Sequence, residues 1–318
     1  MTVKKIHIKK ISEIDNEKLL QFYQNSFNYE KPLLDNYNWR YRIDFNRFEP
    51  LVLLIDDQIH GHAGLIPIKL KVNNVEKEAI WFTDFYISPK YRSKGYGKLL
   101  TKEWMKICPT QITICNDKSL NIFNKFNWKS NNKFIRRAKI NSYFKILPLF
   151  GKKNHNNFFK NNVDNLKHIE LNNSLVEKII KFNDQKMSKN STFIVRDESW
   201  FKWRLIDCPY KNKINIFKYK ENYFITHLRQ KKNLKILNII YSTTSISHDV
   251  GKIFLEFSKK NNIDFFTFVS NEKKLLDNFL PWQRKLNFAF YSNDNNVTND
   301  LNNKLNDIQM IDSDIDYV

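Results

Sequence analysis

The chain has 318 residues, 42% of them hydrophobic and 15% aromatic, which is enough for a sizeable core and excludes a disordered composition. Its three cysteines, Cys108, Cys115 and Cys208, form no C-x-x-C pair. This argues against a disulfide scaffold or zinc ribbon and for a reducing compartment, the cytoplasm. The formal net charge is +20, with a pI near 9.6. Nucleic acid, an anionic membrane surface or a polyphosphorylated small ligand would each use that charge, and a lysine-coated surface would carry it with no partner at all.

The basic N-terminus MTVKKIHIKKIS lacks the apolar core of a signal peptide, and no apolar run approaches the ~20 residues needed to span a bilayer. Helical spacing opens near Asn16 with Leu19, Leu20, Phe22, Tyr23 and Phe27, and Pro32 breaks it. A second amphipathic stretch carries Leu34, Tyr37, Trp39 and Tyr41. Residues 51–72 read as a hairpin turning at Asp56-Asp57-Gln58, and 79–88 as a strand buried on both faces that ends at Pro89. A helix from about Lys98, a short strand at 110–115, a helix at 117–127 and a strand FIRRAKI follow.

Residues 129–168 hold ten Lys/Arg and one acid, Asp164, interleaved with aromatics. This segment reads as a final strand and then a solvated linker. Its basic-aromatic character is also suited to touching a membrane surface or a nucleic acid. Beyond 169 the order of elements restarts. NWRYRID at 38–44 and KWRLID at 202–207 share Trp-Arg and a later Asp, and each is followed by a strand. Strands at 214–219, 222–230 and 234–245, a helix DVGKIFLEFSKK, a strand DFFTFVS, a helix KKLLDNFLP and a last strand LNFAFYS complete the second half. The domains expected are 1–145, a basic linker 146–168, a second module 169–292 and a frayed polar tail 293–318. The alternating acids of DSDID lack the glycine and closing glutamate of a calcium loop.

The chemistry concentrates in SPKYRSKGYGKLL. The chain has only six glycines, and two of them, Gly95 and Gly97, follow Arg92 at a strand-to-helix junction. Such a loop aims backbone N–H groups at one point, and glycine lets a ligand approach without a Cβ in the way. Arg92 and Lys94 add charge suited to a pyrophosphate. R-x-x-G-x-G is expected by chance about 0.004 times at this composition, so it carries weight as a motif. The plain alternative is a helix start with turn glycines. A dinucleotide fold would need a third glycine, and a P-loop would need Ser or Thr after Gly97-Lys98.

Trp81 to Leu100 resembles motif A of the GNAT superfamily of acyl-CoA N-acyltransferases: a hydrophobic strand, a proline turn, R-x-x-G-x-G and a helix. The resemblance covers about the first 140 residues and makes the second half look like a degenerate copy. It implies an α/β fold of two GNAT-like modules, each a mixed, mostly antiparallel sheet flanked by helices. It also implies acetyl-CoA as co-substrate and no metal. Phe85, Tyr86 and Ile87 would meet the pantetheine arm. Ser93, Lys94, Gly95, Tyr96, Gly97 and Lys98, with Arg92, would hold the pyrophosphate. Asn116 and Ser119 would face the co-substrate.

Asp84, an acid in an apolar strand, is the first candidate for the base, with a structural carboxylate as the alternative. His60, His62 and Trp39 are candidates to line the acceptor site, and structural roles compete for both histidines. The family places a tyrosine where this chain has Phe123, which cannot protonate a leaving thiolate. A thiol with pKa near 8.5 is a tolerable leaving group without such an acid, and Tyr86 and Tyr96 are the candidates to substitute. The resemblance implies a small-molecule amine acceptor, such as a nucleotide-linked or lipid-linked amino sugar. A non-catalytic acyl-CoA-binding protein and an aminoacyl-tRNA-dependent transferase are the alternatives. STTSISHDVGK stands where the second module's loop would be, so that half is not expected to bind CoA in this way.

Overall fold

The computed structural model describes residues 5–27, 33–43, 48–141, 163, 165–186, 192–231, 234–271, 282–305 and 307–312. The helix expected at 273–281 and most of the basic linker lie outside these residues.

The first half builds β1 (Ile6–Lys10), α1 (Asn16–Ser26), α2 (Leu33–Tyr41), β2 (Leu51–Ile55), β3 (Gln58–Val72) and β4 (Val75–Ile87). It continues with α3 (Tyr96–Met105), β5 (Thr110–Cys115), α4 (Asp117–Asn124), β6 (Lys129–Asn131) and β7 (Ile135–Ile140). The second half builds β8 (Leu166–Ile169), α5 (Asn173–Lys186), β9 (Phe193–Ile194), α6 (Glu198–Phe201), β10 (Ile214–Tyr219) and β11 (Asn222–Lys231). Then come β12 (Leu234–Ser242), α7 (His248–Lys260), β13 (Phe265–Ser270), β14 (Trp282–Lys285), β15 (Asn287–Ser292) and α8 (Asn295–Asn303).

Local chemistry explains the hairpins. Asp56 and Asp57 have φ of 53° and 61°, and Asn73 and Asn74 have 49° and 65°. Two consecutive left-handed residues make the turn whose twist suits paired strands, and Asp and Asn tolerate it best after glycine. The second of these turns starts β4 at Val75, four residues earlier than the apolar run alone indicates. Residues 79–83 of β4 are all buried, as a central strand requires.

The strands form two sheets. One runs β1-β2-β3-β4-β5-β15-β6, with β9 on the outer part of β3. The other, read from its matching edge, runs β8-β10-β11-β12-β13-β7-β14. In each, one central pair is parallel, β4 with β5 and β12 with β13, and the other paired strands are antiparallel. The repeated element order is thus a repeated topology. The fold is mixed α/β, with two sheets flanked by helices.

The two halves exchange strands. FIRRAKI, as β7, lies against β13 in the second sheet, and LNFAFYS, as β15, lies against β5 in the first. A cut at 145 or at 292 therefore does not separate the sheets. Apolar alternation marks a strand but not the sheet that receives it. One buried cluster also runs through both halves, joining Val52, Ile66 and Trp81 with Trp200, Ile225, Ile240 and Leu301.

The tail is not frayed up to residue 312. Asp294 caps α8, which buries Val297 and Leu301, and Leu305, Ile308, Met310 and Ile311 are also buried. Asp312, the first acid of the DSDID run to be described, is held by Arg196 through Nε at 2.7 Å and Nη2 at 2.5 Å. Both side chains are 0% exposed.

Candidate active site

The parallel pairing of β4 and β5 covers only Ile80 with Gln111 and Trp81 with Ile112. Beyond Trp81 the two strands splay. The Thr113 hydroxyl donates to the Phe82 carbonyl at 2.7 Å, which ties the two strands where the gap opens. The gap continues as a cleft of about 290 Å³, lined by Thr83–Phe85 of β4, Thr113–Cys115 of β5, Thr101 of α3 and residues of α4. Phe85 and Ile122 are exposed, whereas Phe123 is 5% exposed and packs on Phe82 and Trp128. Burial, with Asp117 adding to it, pushes the Cys115 thiol up to about 12, so it stays protonated at neutral pH.

The loop after β4 ends at Gly95, the N-cap of α3, with φ 88° and no side-chain cap. Only glycine adopts this conformation without strain. The first helical bond is Leu99 N–H to the Gly95 carbonyl, so Tyr96, Gly97 and Lys98 present N–H groups with no intrahelical acceptor. A Cβ on Gly97 would stand 3.6 Å from Ile87 and 3.7 Å from Phe85, an ordinary contact. Packing in the protein alone thus does not require glycine at 97, whereas a ligand lying against the backbone would. Arg92 donates from Nε to the Ile87 carbonyl at 2.9 Å, and its side chain is exposed beside the loop with Lys94 and Lys98. Open N–H groups, the cations Arg92, Lys94 and Lys98 and an adjoining cleft with mixed polar and apolar walls fit a phosphate-bearing thioester.

Under the cleft, β4 carries a bulge. The β3 register passes from His62 opposite Tyr86 to Gly64 opposite Thr83, so Asp84 and Phe85 have no Cα partner there, and β5 has already diverged. Asp84 takes φ 47°. Its carboxylate accepts from Arg40 Nε at 2.6 Å, Arg40 Nη2 at 2.9 Å and the Tyr41 hydroxyl at 2.9 Å. Gly64 makes room for Tyr41: a Cβ there would lie 2.8 Å from its ring and 2.9 Å from the Thr83 carbonyl. His62, 0% exposed, sets Nδ1 at 2.9 Å from the Asp84 carbonyl and Nε2 at 3.2 Å from the Tyr23 hydroxyl. Burial lowers this imidazole to about 4 and keeps it neutral, so Nδ1–H donates to the carbonyl and Nε2 accepts from Tyr23.

Residues 11–128 match the acetyltransferase (GNAT) family model. Over these residues the first module is similar to the GNAT acetyltransferases. No curated protein matches the sequence. Among solved structures, the fold is similar to Saccharomyces cerevisiae N-myristoyltransferase with bound myristoyl-CoA: TM-score 0.59, 12% identity, 90% of this chain and 82% of that one. It is also similar to a GCN5-related N-acetyltransferase from Kribbella flavida, at TM-score 0.58 and 9% identity, over 90% and 71% of the two chains. A probable N-acyltransferase from Enterococcus faecalis V583 matches at TM-score 0.56 and 12% identity, over 90% and 72%. At these identities the likeness establishes the fold.

Within the first module, the structure gathers the predicted residues unevenly. Phe85, Asn116, Ser119 and Phe123 line the cleft with Asp84. The Asn116 side-chain oxygen also caps α4 through Ser119 N–H. Tyr86 points to the opposite face, against Phe22 and Phe27. There it borders a second cavity of about 660 Å³ with His60 and Ser88. His60 and His62 do not share an environment, although strict alternation puts them on one face. The β2–β3 register shifts at Leu53/Leu54, beside His60, whose ring lies tilted 4.4 Å from that of Tyr91, while His62 is sealed inside. Full burial removes His62 from any acceptor-lining role. Trp39 lies on the seam between the halves, against Trp203. The Asp84 carboxylate serves Arg40 and Tyr41, and this geometry favours the structural role over the base. Arg40, Tyr41 and Tyr23 escaped the sequence reading. Their only signal was the repeated Trp-Arg, whose partner acid is 44 residues away.

The second module closes the corresponding helix start. Ser247 caps α7 by accepting from Val250 N–H, and Asp249 puts negative charge in the first turn. Both features disfavour an anion at that position. Among the described residues no group of His, Cys, Asp and Glu is placed to hold a metal, and no helix is long and apolar enough to cross a membrane.

Proposed function

We propose that the chain is an acyl-CoA-dependent N-acyltransferase that carries an acetyl group to a primary amine. The observation that supports this most is the uncapped N-terminus of α3 at the mouth of the β4–β5 cleft. Its N–H groups, with Arg92, Lys94 and Lys98, would hold the pyrophosphate. Thr83–Ile87 and Thr113–Asn116 would flank the pantetheine arm. The shallow cleft floor, filled by Phe82 and Phe123, suits a short acyl group.

Attack on a thioester needs a neutral amine and places negative charge on the carbonyl oxygen, which a backbone N–H of the β4 bulge would stabilise. A thiol near pKa 8.5 leaves tolerably without a protein acid. A nucleotide-linked or lipid-linked amino sugar is the acceptor class we favour, since it also suits the +20 charge.

Phe123 supports a second reading, a non-catalytic acyl-CoA-binding protein, because its ring is buried where family members offer a hydroxyl. Thermal shift with CoA tests both readings: stabilisation should grow as RT ln(1 + [L]/Kd). No shift at millimolar CoA would remove both and leave the aminoacyl-tRNA-dependent alternative. Thiol release from acetyl-CoA in the presence of amino sugars separates enzyme from binder.

A further inference from the structure

We infer that Arg40, Tyr41, His62 and Tyr23 form a clamp on Asp84 that fixes the direction of the Phe85 N–H, making it the carbonyl-polarising donor of the cleft. This rests on the acyl-CoA reading above. The clamp grips both ends of the Asp84 residue. Its side chain is held by three hydrogen bonds from consecutive residues of α2, and its carbonyl by a buried imidazole that is itself held by Tyr23.

The direction follows from the layers of the first sheet. α1 and α2 pack on one face, where Tyr23, Tyr41, Ile66 and Trp81 share a cluster. α3 and α4 pack on the other, where Phe82, Leu100, Trp104 and Phe123 share a second cluster. His62 lies with the first group, 5.4 Å from the Tyr23 ring and 5.7 Å from the Tyr41 ring. It therefore draws the Asp84 carbonyl toward α1 and α2. The described chain has no cis peptide bond. In a trans peptide the carbonyl and the next N–H point in opposite directions. The Phe85 N–H is thus aimed at the α3–α4 side, where Thr101, Ser119 and Phe123 wall the cleft. Neither β3 nor β5 offers Phe85 a ladder partner.

Asp84 also stands at φ 47°, a left-handed conformation set inside a strand rather than in a turn, which its surroundings must hold in place. The clamp supplies that determination. Arg40, Tyr41, His62 and Tyr23 are positioning residues: the first three touch Asp84, Tyr23 holds His62, and all act on the thioester only through the peptide they orient. The clamp also gives a role to the arginine of the first Trp-Arg repeat.

The test compares CoA with its stable S-acetonyl ketone analogue by calorimetry, and reads the carbonyl stretch of bound 13C-labelled acetyl-CoA by difference infrared spectroscopy. Wild type, Arg40→Lys, Arg40→Met and Tyr23→Phe are measured, each checked for folding by its melting transition. Wild type should prefer the ketone by about fivefold and lower the carbonyl frequency, as one well-aimed hydrogen bond would. Arg40→Met should lose both effects while its Kd for CoA stays within about twofold, since the phosphate loop is untouched. Arg40→Lys should keep part of each, because an ammonium lacks the two-pronged fork. Should Arg40→Met fail to fold, Tyr23→Phe carries the test, with a smaller loss in the same direction. CoA binding with an unshifted carbonyl in wild type, or a folded Arg40→Met that keeps the full preference, overturns the clamp and leaves the acyl-CoA reading standing. No CoA binding by wild type overturns both.

Discussion

Trp39 and Trp203 hydrogen-bond each other reciprocally. The indole N–H of Trp39 donates to the Trp203 carbonyl at 2.8 Å, and that of Trp203 to the Trp39 carbonyl at 2.6 Å. Their rings sit 6.0 Å apart, and Arg42 and Arg204 each lie 4.8 Å from the Trp203 ring. The internal repeat is thus also a contact: the two Trp-Arg segments meet each other across the seam. Trp39→Phe removes the indole donor to the Trp203 carbonyl, and Trp203→Phe removes the one to the Trp39 carbonyl, which keeps the Arg42 N–H at 3.1 Å; the first should cost about 1–3 kcal/mol in urea denaturation and the second less. The double variant should cost less than the sum, because the two indoles share one arrangement. Strict additivity would show that the two bonds are energetically independent.

Gly97 separates ligand binding from stability. An alanine Cβ would meet only ordinary contacts, and Gly97 is helical, so Gly97→Ala should change stability by no more than about 1 kcal/mol, toward greater stability if anything. The stabilisation that CoA provides in a thermal melt should nevertheless shrink. Gly95→Ala should be destabilising by about 1 kcal/mol or more whether or not CoA is present, because φ 88° strains any side chain. An unchanged CoA response in Gly97→Ala would place the phosphate elsewhere.

Acid should weaken the protein through His62. In the unfolded chain this group titrates near 6.5, whereas burial holds it down at about 4 in the fold. Between these values the unfolded state binds a proton that the folded state refuses. The contribution is therefore complete above pH 6.5 and declines as pH falls toward 4, by on the order of 3 kcal/mol. His62→Gln should flatten the dependence of Tm on pH across that window. A variant with the same slope as wild type would assign the acid sensitivity to other groups.

The tail should behave as part of the core. Asp312→Ala leaves the buried Arg196 guanidinium with the Asp307 carboxylate at 2.9 Å, itself 41% exposed, and should cost about 3–5 kcal/mol. Replacing both Arg196 and Asp312 with apolar residues of similar volume should restore much of that loss. Deleting residues 307–318 should lower Tm by more than either variant, since Ile308, Met310 and Ile311 leave the core with it. A truncated chain with wild-type Tm would show that the tail adds nothing to the fold.

Ser247 tests the asymmetry of the two halves. Ser247→Ala removes the cap of α7 and should cost about 1 kcal/mol, with the CoA response unchanged. A lost CoA response would place the ligand at the second module.

The sequence alone determined what is local. Arg92, Gly95 and Gly97 lie within six residues, so the backbone conformation they allow, and the open helix start it creates, is a property of that segment in any context. The hairpin at Asp56-Asp57 and the capped start of α7 are legible for the same reason. Tertiary structure decided what depends on distant partners. β7 and β15 alternate like ordinary strands, and only the neighbouring sheets determine that each crosses to the other half. Asp84 reads as a candidate base until Arg40, 44 residues earlier, is brought to 2.6 Å from it. His60 and His62 stand two apart, yet His60 borders a cavity while His62 is sealed inside. The acidic tail reads as solvated until Arg196, 116 residues earlier, draws Asp312 inside. In each case a charge or a strand edge takes its role from the partner that desolvates or pairs it, and sequence spacing does not encode that partner.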